Sequence, residues 1–149
     1  MAKRVAVAGY GAVGRALIRQ LSARGDNVRI VQRQEPSLTP NNTEFARADL
    51  EDAQHTRLAL TDVDVVVCTV GIPYVSKIYT RVWPIVMRNM LDACANSGAR
   101  FVFADNLYMY GPQTSILTED MPRSAGKRGF ADACMRRCSS RVGWRAPPP

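Results

Sequence analysis

The sequence predicts an α/β domain in which about five parallel strands form a sheet flanked by helices. Two observations predict this class. Short apolar runs rich in β-branched residues alternate with segments of helical period. The first run, Lys3–Ala8, leads directly into a Gly-x-Gly-x-x-Gly turn and then into an amphipathic segment. Strands that alternate with helices pair in parallel through right-handed crossovers, and we expect the strand order 3-2-1-4-5.

The glycine turn predicts a dinucleotide site of the Rossmann-like kind. The first glycine permits a tight turn, the second lets the backbone approach the phosphates, and the third lets the helix pack against the strand. The N–H groups of the first helical turn then bind the pyrophosphate. The alternative is an ordinary glycine-rich turn. The cofactor-binding residues predicted here are Gly9, Tyr10, Gly11, Ala12, Val13 and Gly14.

The elements after this turn follow from local patterns. A helix is predicted over Ala12–Arg24, because Val13, Leu17 and Leu21 recur at helical spacing, and Gly25 is a natural end for it. The next elements are the strands Asn27–Gln32 and Thr43–Ala48, the proline-containing loop Glu35–Asn42 between them, and the helix Glu51–Leu60 with acids in its first turn.

The second half repeats the alternation. Val63–Val70 is the clearest strand because most of its residues are β-branched. The segment Tyr74–Arg81 is ambiguous, and a helix is predicted over Trp83–Asn96 with Pro84 in its first turn. Phe101–Ala104 is predicted as the fifth strand. The helix carries an apolar stripe that indicates core packing or contact with a second subunit: Trp83, Met87, Met90, Leu91 and Cys94.

The end of the second strand indicates which cofactor binds. An acid at this place accepts hydrogen bonds from the ribose of NAD, whereas a basic residue pairs with the 2′-phosphate of NADP. The chain has Gln32-Arg33-Gln34 here, and its first acid, Glu35, comes later. The sequence therefore favours NADP over NAD, with Arg33 as the phosphate partner. A solvated loop arginine is the alternative.

Two further pairs of residues follow strands at the same edge of the sheet. Asp49-Leu50 follows the third strand, where Asp49 either accepts a hydrogen bond from the adenine amine or caps the next helix. Val70-Gly71 ends the fourth strand, where Gly71 allows close approach of the cofactor. Ligands of open α/β sheets bind outside the carboxyl ends of the strands, so both pairs are predicted cofactor contacts.

Composition excludes several classes of protein. No apolar run reaches the roughly 18–20 residues of a membrane span, and the basic N-terminus precedes a strand pattern rather than the core of a signal peptide. Four cysteines without zinc-site spacing and a single histidine, His55, predict no metal site. Cys68 and Cys94 lie in apolar patterns and are expected as buried thiols of a cytoplasmic protein.

The net charge of +7 is concentrated at one end of the chain. Residues 1–122 carry 13 Lys and Arg against 12 Asp and Glu, whereas residues 123–149 carry 7 against one. This distribution argues against a nucleic-acid partner for the body. Residues 123–149 show no sustained period and are expected to be a poorly ordered tail, with a basic nucleic-acid arm and the truncated or altered end of a longer fold as alternatives.

The glycine turn, Asp49-Leu50, Cys68-Thr-Val-Gly71 and Phe101-Val-Phe-Ala-Asp-Asn-Leu-Tyr-Met-Tyr-Gly-Pro112 together resemble the NAD-dependent epimerase/dehydratase family. Its members are extended or atypical short-chain dehydrogenases/reductases, and the resemblance covers about residues 3–122, an NAD(P)-binding Rossmann domain. It implies reversible hydride transfer on a nucleotide sugar or related carbonyl compound.

The chain departs from this family at the catalytic residues. The family places Ser or Thr four residues before the Tyr of its Tyr-Gly pair; here Asn106 precedes Tyr110. Both are catalytic candidates on the resemblance alone. The family's Tyr-x-x-x-Lys is absent, because no tyrosine in this chain has Lys four residues later. The chain is therefore expected to be an atypical branch or an incomplete member, with a shifted reading frame near residue 123 as one hypothesis.

The sequence thus predicts an NADP-binding protein of the epimerase/dehydratase type that acts on a small-molecule substrate. A non-catalytic NADP-dependent redox sensor is the alternative, since the usual catalytic pair is missing. The fifth strand is expected at an exposed edge of the sheet, which leaves a homodimer open. No membrane partner is expected.

Overall fold

A five-stranded parallel sheet with helices on both faces organises the chain in a computed structural model. The structure describes residues 2–73, 75–105, 110, 114–118 and 120–121. The predictions for Asn106 and for the tail at 123–149 lie outside these residues. The elements are β1 (Arg4–Ala8), α1 (Ala12–Ala23), β2 (Asn27–Gln32), β3 (Thr43–Arg47), α2 (Ala53–Ala59), β4 (Val65–Cys68), α3 (Ser76–Ser97) and β5 (Arg100–Phe103).

The strand order is β3-β2-β1-β4-β5, and every pair is parallel, which confirms the predicted class and order. β1 is central: its Val5 pairs with Val28 of β2 and with Val65 of β4. The β1 residues from Val5 to Ala8 are buried, as expected for a strand covered on both faces. β4 is shorter than predicted at both ends, and β5 begins one residue earlier.

Helix α1 covers one face of the sheet, and it forms where the spacing predicts a helix. Its buried residues are Gly14, Ile18 and Leu21, and Leu17 packs beside them. Val13 shares the spacing that predicts the helix but is 62% exposed. The physical reason is the close packing of Gly14 onto the turn below it, which fixes the rotation of the helix and turns Val13 outward.

Helix α2 begins later than predicted. Asp52 is its N-cap, and the Asp52 carboxylate accepts a hydrogen bond of 2.8 Å from the His55 N–H. Asp49 instead accepts from the Glu51 N–H at 3.0 Å, in the turn before the helix. Asp49 is therefore not the helix cap. The acids predicted for the first helical turn precede the helix, because capping by Asp52 keeps them in the turn.

Helix α3 begins at Ser76, so residues 76–81 of the ambiguous segment are helical and the predicted start at Trp83 is wrong. Pro84 lies inside the helix, where its missing N–H removes one hydrogen bond of the ladder. Burial outweighs this loss, because the apolar stripe continues on both sides of the proline. Every residue of the predicted stripe from Trp83 to Cys94 is buried within the chain, which confirms its core role.

Candidate dinucleotide site

A cleft opens where the carboxyl ends of β1, β2, β3 and β4 meet the first half of α3. Its volume is about 890 Å³. Backbone and side chains of both polar and apolar character line it, as is usual for a cofactor site. The lining includes these residues predicted from the sequence: Gly9, Tyr10, Gly11, Arg33, Asp49, Leu50, Val70 and Gly71.

Gly9 and Gly14 let α1 approach β1 and β4 at backbone distance. Gly9 has φ +100°, a region that residues with a Cβ rarely adopt. A Cβ on Gly14 would lie 2.2 Å from the Gly9 carbonyl oxygen and 2.8 Å from Thr69 Oγ1. The structure therefore contains the tight turn predicted at Gly9 and the close packing of helix on strand predicted at Gly14.

Thr69 holds the turn from the neighbouring strand. Its hydroxyl lies 3.0 Å from the Ala8 carbonyl oxygen and 3.1 Å from the Gly9 carbonyl oxygen, and donates to this pair. The Gly9 N–H donates to the Val31 carbonyl at 3.0 Å. The glycine turn is thus fixed from both sides by β2 and by the end of β4.

The middle glycine faces open space. Gly11 is the N-cap of α1, and no atom lies within 4 Å of the position that a Cβ would take. No side chain caps the helix, so no cap competes for the first-turn N–H groups of Ala12, Val13 and Gly14. These three residues are not among the lining residues of the cleft.

Arg33 stands on the cleft wall formed by the end of β2 and is exposed. Gln32 and Gln34 flank it in the same lining, and the Gln32 amide donates to the Gln34 carbonyl. Among the described residues Arg33 forms no ion pair, so this wall carries a positive charge beside two amides. Glu35, the first acid after the strand, is not part of the lining.

The far wall is built by the loop after β3. Asn89 of α3 donates to the Leu50 carbonyl at 2.9 Å and to the Glu51 carbonyl at 3.1 Å, which fixes this loop against the helix. Arg81 also lines the cleft and pairs with Glu51 at 3.4 Å between Nη1 and Oε2. Both partners are substantially exposed, so this pair adds little stability.

Sequence reasoning did not assign roles to Thr69, Asn89 or Arg81. Thr69 lies within the Cys68-Thr-Val-Gly71 segment, yet its hydroxyl contacts residues 60 and 61 positions away in the sequence. Arg81 and Asn89 lie at helical spacing on α3, and the predicted helix start at Trp83 left Arg81 outside the helix. A predicted helix start before Arg81 would have placed Arg81 on the same helix as Asn89.

Tyr110 is 8% exposed and belongs to the described residues, whereas Asn106 does not. Burial raises the pKa of the Cys68 thiol, which precedes Thr69, to about 11. This thiol is not a nucleophile at neutral pH. Within the described ranges, no three His, Cys, Asp or Glu side chains cluster as metal ligands.

The family model for NAD(P)H-binding proteins matches residues 9–137. The chain belongs to this NAD(P)H-binding family. The match begins at the first glycine of the turn, so it includes every wall of the cleft described above. It also extends beyond residue 122, where the sequence places the end of the Rossmann domain. Among curated proteins, no sequence matches significantly.

Solved structures share the fold of this NAD(P)H-binding protein. MoeE5 in complex with UDP-glucuronic acid and NAD has a TM-score of 0.80 at 24% identity, covering 96% of this chain and 50% of that one. Glucuronic acid dehydrogenase from Chromohalobacter salexigens has a TM-score of 0.77 at 24% identity, covering 94% of this chain and 55% of the other. Likeness at this identity shows the fold.

A short-chain dehydrogenase/reductase superfamily protein from Agrobacterium tumefaciens, with bound NAD, has a TM-score of 0.76 at 26% identity. The match covers 91% of this chain and 43% of that one. The chain thus spans about half the length of the solved relatives it matches. Together with the family match, these structures confirm the resemblance predicted from the sequence.

None of the described helices is both long and apolar enough to cross a bilayer.

Proposed function

We propose that this chain is the cofactor-binding half of an oxidoreductase or epimerase that uses NADP for hydride transfer on a carbonyl or nucleotide-sugar-like substrate. The observation that carries the proposal is one cleft lined by both the glycine turn and Arg33. The turn offers backbone N–H groups for a pyrophosphate, and the arginine offers a cation for a second phosphate.

The residues present fit a dinucleotide. The cleft volume of about 890 Å³ lies within the usual range for cofactor sites. The open space at Gly11 admits a phosphate against the backbone, and the uncapped start of α1 favours negative charge there. When bound, the nicotinamide would supply or accept a hydride. The chain's own residues bind and orient the cofactor.

The choice of NADP rests on the wall after β2. Arg33 is exposed in the lining, and neither of its neighbours in the lining, Gln32 and Gln34, is an acid that would accept from a ribose 2′-hydroxyl. Several solved structures of this fold hold NAD. The proposal for this chain therefore depends on its own arginine and not on the relatives.

Cofactor titration tests this choice. We expect the protein to bind NADPH more tightly than NADH. We expect Arg33→Gln to lower the affinity for NADPH by roughly ten- to hundredfold, since a charge-assisted hydrogen-bond pair is lost. NADH affinity should change by less than about twofold. Arg19→Gln is the matched control, because Arg19 is an exposed arginine of α1 outside the cleft lining. Tighter binding of NADH by the wild type would refute the assignment.

The catalytic part of the proposal assigns Asn106 and Tyr110 to hydrogen bonding with a substrate oxygen, on the family resemblance. A second candidate function is a non-catalytic NADP-dependent sensor, favoured by the absence of Tyr-x-x-x-Lys from this sequence. Oxidation of NADPH in the presence of uronates, UDP-sugars and simple carbonyl compounds separates the two. Steady turnover would exclude the sensor, and saturable NADPH binding without turnover would support it.

We further propose a cytoplasmic protein whose partner is a small molecule rather than a nucleic acid. The two buried thiols, Cys68 and Cys94, support a reducing environment. A homodimer through the edge strand β5 is also proposed, since Val102 there is 40% exposed. Sedimentation of the purified protein over a concentration series tests this: a monomer throughout would exclude the dimer.

A further inference from the structure

The loop between β2 and β3, residues 33–42, is here called the selectivity loop because it begins with Arg33. Side-chain hydroxyls hold three of its carbonyl groups. Tyr10 Oη donates to the Leu38 carbonyl at 2.8 Å, Thr43 Oγ1 donates to Pro40, and Ser22 Oγ donates to Asn41. The last two bonds fix the far end of the loop. The Tyr10 bond holds its middle, closer to Arg33.

Tyr10 differs from the other two donors in its position. It belongs to the glycine turn, and it lines the cleft together with Arg33. Its ring is half-buried and packs against the core cluster under α1, so the hydroxyl projects from a fixed base. The Leu38 side chain is 83% exposed, so apolar burial of this side chain does not hold the middle of the loop.

We propose that Tyr10 is a positioning residue for cofactor choice: its hydroxyl fixes the selectivity loop so that Arg33 stands at a set distance from the glycine turn. This inference rests on the proposed NADP function. The turn would hold the pyrophosphate and Arg33 the 2′-phosphate, and these groups lie at a fixed spacing in the cofactor. A bond from the turn to the loop fixes the same spacing in the protein before the cofactor arrives.

Tyr10→Phe removes this hydroxyl and keeps the ring. We expect NADPH affinity to fall roughly two- to tenfold, as for one neutral hydrogen bond. NADH affinity should stay within about twofold, because no 2′-phosphate is involved. Ser22→Ala is the control: it also removes a hydroxyl tether of the selectivity loop, but from outside the cleft lining, and it should leave the NADPH to NADH ratio near that of the wild type.

Two further measurements separate positioning from other roles. In an Arg33→Gln background, Tyr10→Phe should no longer change the affinity for NADPH, because Tyr10 acts through Arg33. In cofactor-free protein, Tyr10→Phe should speed amide hydrogen exchange across residues 34–39 and leave β1 protected. Exchange that matches the wild type would overturn the inference without touching the NADP proposal.

The remaining outcomes are also decisive. Equal losses of NADPH and NADH in Tyr10→Phe would mean that the hydroxyl contacts a part common to both cofactors, and the positioning role would be wrong. A wild type that prefers NADH overturns the proposed function and this inference together. A wild type that prefers NADPH, with an unchanged ratio in Tyr10→Phe, overturns the inference alone.

Discussion

Replacing Gly14 by alanine tests the close approach of α1 to the glycine turn. The new Cβ would lie 2.2 Å from the Gly9 carbonyl oxygen, about 0.8 Å inside the 3.0 Å that Cβ atoms essentially always keep. The carbonyl cannot easily move away, because it accepts from the Thr69 hydroxyl and the Gly9 N–H is bonded to Val31. Either α1 lifts from the sheet or these bonds break.

The expected change in the free energy of unfolding is the sum of two costs and one gain. Overpacking of a close contact costs about 1–3 kcal/mol, and loss of a hydrogen bond adds about 1 kcal/mol. Alanine in a helix interior recovers about 0.5–1 kcal/mol relative to glycine. We therefore expect Gly14→Ala to lower the free energy of unfolding by about 2 kcal/mol. For a chain of this size the melting temperature should fall by about 4–8 °C.

Gly11→Ala is the matched control. Its backbone, with φ −74° and ψ −167°, is accessible to alanine, and the added Cβ meets no atom within 4 Å. Its melting temperature should fall by about 1–3 °C, less than for Gly14→Ala, since alanine is the weaker N-cap by roughly 0.5–1 kcal/mol. NADPH affinity should nonetheless fall at least about tenfold, because the methyl group occupies the approach of a phosphate.

Thermal unfolding followed by circular dichroism and NADPH fluorescence titration measure the two effects on the same samples. The reasoning fails if Gly14→Ala melts with the wild type, since the close approach would then not constrain the helix. It also fails if Gly11→Ala binds NADPH as the wild type does, because the open space above this residue would then not be the phosphate site.

Other predictions concern ionisation and thiols. The Lys3 N–H holds the pKa of the nearly buried Asp26 carboxyl below 3.8, so this carboxylate stabilises the fold above that pH, and its contribution is lost as the pH falls further. Asp26→Asn should therefore flatten the acid limb of a stability–pH curve measured by urea unfolding. Burial raises the pKa of Cys68 to about 11 and that of Cys94 to about 12. In a variant that keeps Cys68 and Cys94 and has serine at positions 134 and 138, alkylation of the two remaining thiols at pH 8 should stay slow until urea unfolds the chain. Rapid labelling of the native protein would contradict their burial.

The sheet could be predicted from the sequence because its information is local. Runs of β-branched residues mark β1 and β4, and the glycine turn at Gly9 fixes where the first strand ends. The strand order then follows from the rules for parallel crossovers. The same rule predicts the site, because residues that follow parallel strands, such as Arg33 and Gly71, lie at one edge of the sheet.

What the sequence did not reveal depends on contacts between distant segments. Pro84 suggested a helix start, yet Ile78 and Val82 extend the same buried stripe to its N-terminal side, and tertiary packing decided the boundary. Val13 has the right spacing for the core, but the rotation of α1 is set by Gly14 against the turn. The hydrogen bonds from the Thr69 hydroxyl to the Ala8 and Gly9 carbonyls leave no periodic pattern in the sequence.

The hydrogen bonds from Thr69 determine when the glycine turn becomes complete during synthesis. The whole Gly-x-Gly-x-x-Gly segment is made within the first 14 residues, but the hydroxyl that holds its carbonyls is added at position 69. A nascent chain that has folded β1, α1 and β2 therefore presents the motif without its support. We therefore expect a cofactor that binds at this turn to stabilise the growing protein only after β4 has joined the sheet, so that binding would report the arrival of the fourth strand.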